Sequence, residues 1–134
     1  MLWSVITLLT IAGCCAYALR WGGLDERLAA IGGLLAVVAS NIVTDGAYTH
    51  TEGGVLVVDV ALFIGLLVLA LRSDRFWPMY AAAFQLVGTM FHFASMVQTG
   101  DFAWAYYIAL IFWTFPVFIA LAAGTWFEGR YRRR

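Results

Sequence analysis

The chain has no lysine, so every positive charge is an arginine; there are eight arginines against eight acidic residues. Charged residues are only 12% of the sequence, and 63% is hydrophobic. Soluble domains carry about 25% charged residues. A soluble chain of 134 residues with a mean hydropathy of +0.86 has too little polar surface to cover its apolar content. A buried core helix does not explain the apolar runs either, because they are too long and too many. These shortages exclude a soluble globular domain and point to an integral membrane protein.

Chemical motifs are missing as well. There is no phosphate loop, dinucleotide fingerprint, serine nucleophile motif, HExxH, CxxC or Glu-x-x-His. The two cysteines, Cys14 and Cys15, are adjacent. Disulfide geometry disfavours a bridge between neighbours, so they read as small packing residues. The arginines flank apolar runs and form no separate basic domain, so nucleic acid is not an expected partner. The sequence therefore predicts no enzyme and no cofactor. A metal or haem on His50, His92 and Asp59, with Asp45 and Glu52 as further ligand types, is the minor alternative.

What is present is a repeating pattern of apolar segments, at about residues 2–19, 28–44, 53–71, 76–97 and 103–127. Each approaches the roughly 17–25 residues of a membrane span. The breaks RWGGLDER, DGAYTHTE, RSDR and QTGD are short, so successive helices must run antiparallel. No linker interrupts residues 1–134, which read as a single transmembrane domain. The expected fold is all-α: an integral membrane bundle of five transmembrane helices.

Arginine placement sets the orientation. Arg20 and Arg27, Arg72 and Arg75, and Arg130, Arg132, Arg133 and Arg134 all fall on one side of such a bundle. The other side carries Asp45, His50, Glu52 and Asp101 and no arginine. This places the N-terminus outside and the C-terminus in the cytoplasm, with the arginines as topology anchors. Trp3 and Trp104 fall near the outer boundary, and Trp21, Trp77 and Trp126 near the inner one, as an aromatic belt requires. Pro78 suits the first turn of a helix, and Pro116 is expected to kink the fifth helix or mark a packing contact. Ile11-Ala12-Gly13-Cys14 resembles a lipoprotein cleavage box, but MLWS lacks the basic start of a signal peptide. Cleavage before Cys14 would also invert every arginine loop.

Polar residues inside the apolar segments are the candidate site, since a charge in lipid is costly. Asp59 stands alone in GGVLVVDVALFIGLL. Asp59 and His92 lie at similar depth in consecutive helices and can meet. Gln85, Gly88, Thr89, His92 and Ser95 share one helical face, and such a face turns toward the bundle interior. Gly32, Ala36 and Ser40 form a small-residue stripe suited to close packing. Asn41, Asp45, His50 and Glu52 complete an outer polar cluster around Asp59, His92 and Gln85.

Three roles compete for Asp59 and His92: a structural hydrogen bond, proton or cation handling, and metal ligation. The aromatic run Tyr106, Tyr107, Phe112, Trp113, Phe115 and Phe118 reads as packing, with a pigment or quinone pocket as the rival. The tail GRYRRR reads as an anchor, with anionic lipid as the rival ligand.

The stretch LRSDRFWPMYAAAFQL, residues 71–86, resembles small multi-pass inner-membrane proteins of alphaproteobacteria. Arg72, Arg75, Phe76, Trp77, Pro78 and Gln85, with His92, carry the likeness. It implies a bacterial inner-membrane protein and no particular activity. The expected function is non-enzymatic, acting by association as a homo-oligomer or as an accessory subunit of a membrane complex. The alternative is a small proton- or cation-handling transporter or channel using Asp59 and His92. An enzyme acting within the bilayer ranks third.

Overall fold

A computed structural model describes residues 2–44, 51–97 and 103–131. The described chain is all-α. Its five helices are α1 (Leu2–Trp21), α2 (Leu24–Thr44), α3 (Thr51–Arg72), α4 (Trp77–Val97) and α5 (Ala103–Tyr131). Three of them contain stretches long and apolar enough to cross a membrane: Leu24–Val43, Gly53–Arg72 and Ile111–Tyr131. A shorter apolar stretch, Val5–Trp21, lies in α1. The 21 residues of α4 include the polar Gln85 and His92, both buried. This is a multi-pass membrane protein by the length and composition of its helices.

The helix boundaries follow from local chemistry. Only Gly22 and Gly23 separate α1 from α2. The Gly22 amide still donates to the Ala18 carbonyl at 2.8 Å. A Cβ on Gly22 would lie 2.3 Å from that oxygen and 2.6 Å from Glu26 Cβ, so the close turn requires glycine there. Gly23 caps α2: its carbonyl accepts from the Arg27 amide at 3.1 Å. Glu26, three residues into α2, accepts the Gly23 amide at 2.8 Å, which is one half of a capping box. Helix α2 therefore begins at Leu24, four residues before the predicted start at 28, and Arg27 is helical rather than in a loop. Polar LDER masked this start, because apolar periodicity sees only the membrane-facing part of a helix. Pro78 stands in the first turn of α4, where a missing N–H is tolerated. Helix α5 continues through Pro116.

The helices pack as a closed ring. Each contacts its neighbours in sequence, α1 also contacts α5, and a smaller α2–α5 contact crosses the middle. Toward the arginine-bearing end, the middle of the ring is tightly packed and apolar. Its core contains Cys15, Ala18, Ala30, Leu66, Ala81, Phe118 and Leu121. Small residues let the backbones approach closely; the Cys15 thiol reaches the Ala30 carbonyl at 3.7 Å. Gly124 lies directly against the Trp77 ring, where a Cβ would sit 2.3 Å from Cγ. The outward surface is studded with exposed apolar side chains such as Leu9, Val57, Ile64, Met90 and Ile119.

Candidate functional site

The opposite half of the ring is hollow. A cavity of about 340 Å³ lies there, lined from all five helices. The lining positions repeat with helical spacing. Helix α3 gives Val55, Asp59 and Leu62, and α4 gives Gln85, Gly88 and His92. The polar stripe of α4 thus turns inward, where a partner is available.

Asp59 and His92 meet in this cavity. His92 Nε2 lies 2.6 Å from Asp59 Oδ2, with the His92 side chain almost fully buried and that of Asp59 24% exposed. The Gln85 amide donates to Asp59 Oδ1 at 3.3 Å. Both carboxylate oxygens therefore face a donor group. With one hydrogen between Nε2 and Oδ2, the pair carries a net charge of −1. A further proton on the imidazole makes it an ion pair of net charge zero. Asp59 is eight residues beyond Thr51, which puts it roughly 12 Å along α3.

The other expected cluster members divide. Asn41 lines the cavity, but its amide donates to the Val37 carbonyl of its own helix at 2.7 Å. Ser40 also lines the cavity. The Thr89 hydroxyl donates to the Gln85 carbonyl at 2.8 Å, within α4. Asp45, His50, Asp101, Arg132, Arg133 and Arg134 lie outside the described residues, as do the side chains of Glu52, Ser95, Trp104, Tyr106 and Tyr107. Among the described residues no group of three His, Cys, Asp or Glu side chains is placed to hold a metal ion. In the aromatic run, Trp113 packs against Phe91 and Phe84 of α4, with ring centroids 6.2 and 6.4 Å apart.

The cavity floor is apolar. Gly33, Leu62 and Phe118 line both the cavity and a void of only about 10 Å³ beneath it. A void that small holds at most one water. Leu66, Ala81, Leu121 and Trp77 continue below. A Cβ on Gly33 would meet the Phe118 ring at 3.0 Å, so glycine lets the ring seat against α2.

Under this floor lies a charged cluster that sequence reasoning missed. Glu26 is fully buried. It accepts from the Arg75 guanidinium, from Trp77 Nε1 at 2.9 Å and from the Gly23 amide. Arg75 also pairs with Glu128 at 2.9 Å and approaches Asp25 at 3.9 Å. Ser73 donates to Asp25 at 2.7 Å. The cluster ties α2, the α3–α4 linker, α4 and α5 together. Burial alone would lower the Arg75 pKa, but the hydrogen bond and charge of Glu26, then the charges of Glu128 and Asp25, hold it above its ordinary value.

Arg75, expected as a topology anchor, is surrounded by three carboxylates. One expectation is corrected here. Trp77 is not part of an interfacial belt; its ring is buried and its N–H is used by Glu26. Trp21 and Trp126 are exposed, as a belt requires. A signal was available: Glu26 sits next to a glycine pair at a helix start, and acids there are usually read only as dipole partners.

No family model, curated protein or solved structure matches the chain.

Proposed function

We propose that the protein is a five-span inner-membrane bundle, N-terminus outside and C-terminus cytoplasmic, that handles protons or a small cation at Asp59 and His92. Support for the orientation is the convergence of Arg20, Arg27 and Arg130 around one groove, with Arg75 at the same end through its contact with Glu128. The observation that carries the functional reading is the 2.6 Å Asp59–His92 contact in a cavity lined from every helix. A register-fixing hydrogen bond needs only two helices and no hollow around it. Proton or cation exchange needs both a titratable pair and a space that water can fill.

The association reading uses the same bundle but draws less from it. The ring closes through α1 and α5, so each helix finds two neighbours within the chain. That favours a working cavity over an incomplete bundle awaiting a subunit.

The apolar floor implies a stepwise path. A charge held at Asp59–His92 is separated from the Glu26–Arg75 cluster by Phe118 and the residues beneath it. Passage across the membrane requires the Phe118 ring to move and water to enter. Without that motion the site loads and releases on the arginine-free side only.

Reconstitution into vesicles of phosphatidylcholine and phosphatidylglycerol, with internal pH and cation reporters, tests the proposal. Wild type should dissipate a pH or cation gradient, and Asp59→Asn and His92→Gln should abolish the flux while assembling normally. Equal flux in wild type and both variants would sink it.

A further inference from the structure

We infer that the arginine-bearing end holds a binding site for the phosphodiester headgroup of an anionic phospholipid. The site is a groove of about 550 Å³ where the end of α1, the start of α2 and the end of α5 meet. Three arginines from three helices converge on it: Arg20, Arg27 and Arg130. Tyr17, Trp21 and Trp126 complete its polar and aromatic lining.

Charge accounting at this end singles the three out. The ion-paired carboxylates here, Asp25, Glu26 and Glu128, all face Arg75. Among the described residues, Arg20, Arg27 and Arg130 have no carboxylate within ion-pairing distance. Asp25, Glu26 and Glu128 are thus drawn to Arg75, and Asp74 lies in the α3–α4 linker. The groove is lined by three exposed positive charges.

Two of the guanidinium groups are already positioned. Arg130 lies over the Trp126 ring, 4.1 Å from its centroid. Arg20 lies 5.2 Å from the Trp21 centroid. Stacking on a ring occupies a guanidinium face and leaves the N–H edge for a phosphate. A topology anchor needs only positive charge on one side of the membrane; it does not need three helices to aim arginines at one hollow.

The location selects lipid over a free anion. The groove lies at the ends of apolar helices, beside the exposed Leu19 and Phe127, which suit acyl chains. Exposed Trp21 and Trp126 match the headgroup level.

The test is native mass spectrometry of the full chain released from detergent, titrated with dioleoyl-phosphatidylglycerol or dioleoyl-phosphatidylcholine. The anionic lipid should bind at least about tenfold more tightly. Arg27→Gln combined with Arg130→Gln should erase that preference, and the paired lysine replacements should retain part of it. Arg72→Gln, on α3 and lining a different groove, should leave it intact. Equal binding of the two lipids by wild type would overturn the inference. So would an equal loss in Arg72→Gln, which would mean diffuse charge. Displacement of the lipid by millimolar inorganic phosphate would also overturn it, in favour of a free anion. Circular dichroism of each variant confirms that the binding measured is that of folded protein.

Discussion

Arg75→Ala offers the sharpest test of the buried cluster. Glu26 is fully buried and accepts three donors, of which Arg75 is the only charged one. Removing the guanidinium leaves a buried carboxylate held by two neutral N–H groups. Breaking a buried pair in this way costs about 3–5 kcal/mol. The carboxylate has an escape, which is to take up a proton. From an ordinary glutamate pKa of about 4.3, neutralisation at pH 7 costs about 3.7 kcal/mol, and at pH 5 about 1 kcal/mol. The escape therefore caps the loss. The Arg75 side chain is 27% exposed, so water fills part of the gap and favours the lower end. The variant should lose about 3 kcal/mol at pH 7 and about 1 kcal/mol at pH 5. Adding Glu26→Gln should recover most of the difference, because the stranded charge is gone. Reversible unfolding in mixed micelles, followed by far-ultraviolet circular dichroism at both pH values, measures this. A loss below about 1 kcal/mol at pH 7, or equal losses at both pH values, would refute the reasoning.

Other outcomes follow from the same geometry. Phe118→Ala should open the cavity floor and raise passive proton leak in vesicles, whereas Ile119→Ala, an exposed neighbour on the outer face, should not. Gly124→Ala should force the Trp77 ring away from Glu26 and destabilise by about 1–3 kcal/mol, read with a change in tryptophan fluorescence. On a Cys14→Ser, Cys15→Ser background, Ser40→Cys should react with a water-soluble maleimide added from the arginine-free side, and Arg130→Cys only from the other side. The raised pKa of Arg75 gives stability that is complete below its unfolded-state value and lost only as pH climbs through the still higher folded value. Between pH 7 and about 10 the contribution of Arg75 should stay constant, which unfolding of wild type against Arg75→Ala across that range checks.

Much of the architecture was legible because membrane spans write themselves as long apolar runs. The inward stripe of α4 was legible too, since Gln85 and His92 have no partner in lipid and seven residues return a helix to nearly the same face. The depth match of Asp59 and His92 followed from the short RSDR link between their helices. The Glu26–Arg75–Glu128 cluster was not legible. Its members are 49 and 53 residues apart in the chain, and each has a local explanation: Glu26 at a helix start, Arg75 as an inside charge, Glu128 in a polar last turn. Only the ring closure that brings α5 beside α2 and α4 shows that they share one site. Trp77 was misread for the same reason. An aromatic at a span boundary looks interfacial until Gly124 on another helix opens a slot for it. The central cavity was also hidden, because a hollow lined from five helices depends on five backbones at once.

The central claim is that Asp59 and His92 form one proton-exchanging unit. Solid-state nitrogen NMR of His92 in bilayers, titrated from pH 5 to pH 9 in a His50→Gln background, tests it most directly. If the two groups share a proton, the His92 nitrogen signals should change with pH in wild type, and Asp59→Asn should alter that response. A His92 that keeps one protonation state throughout, or titrates identically without the Asp59 carboxylate, would contradict it.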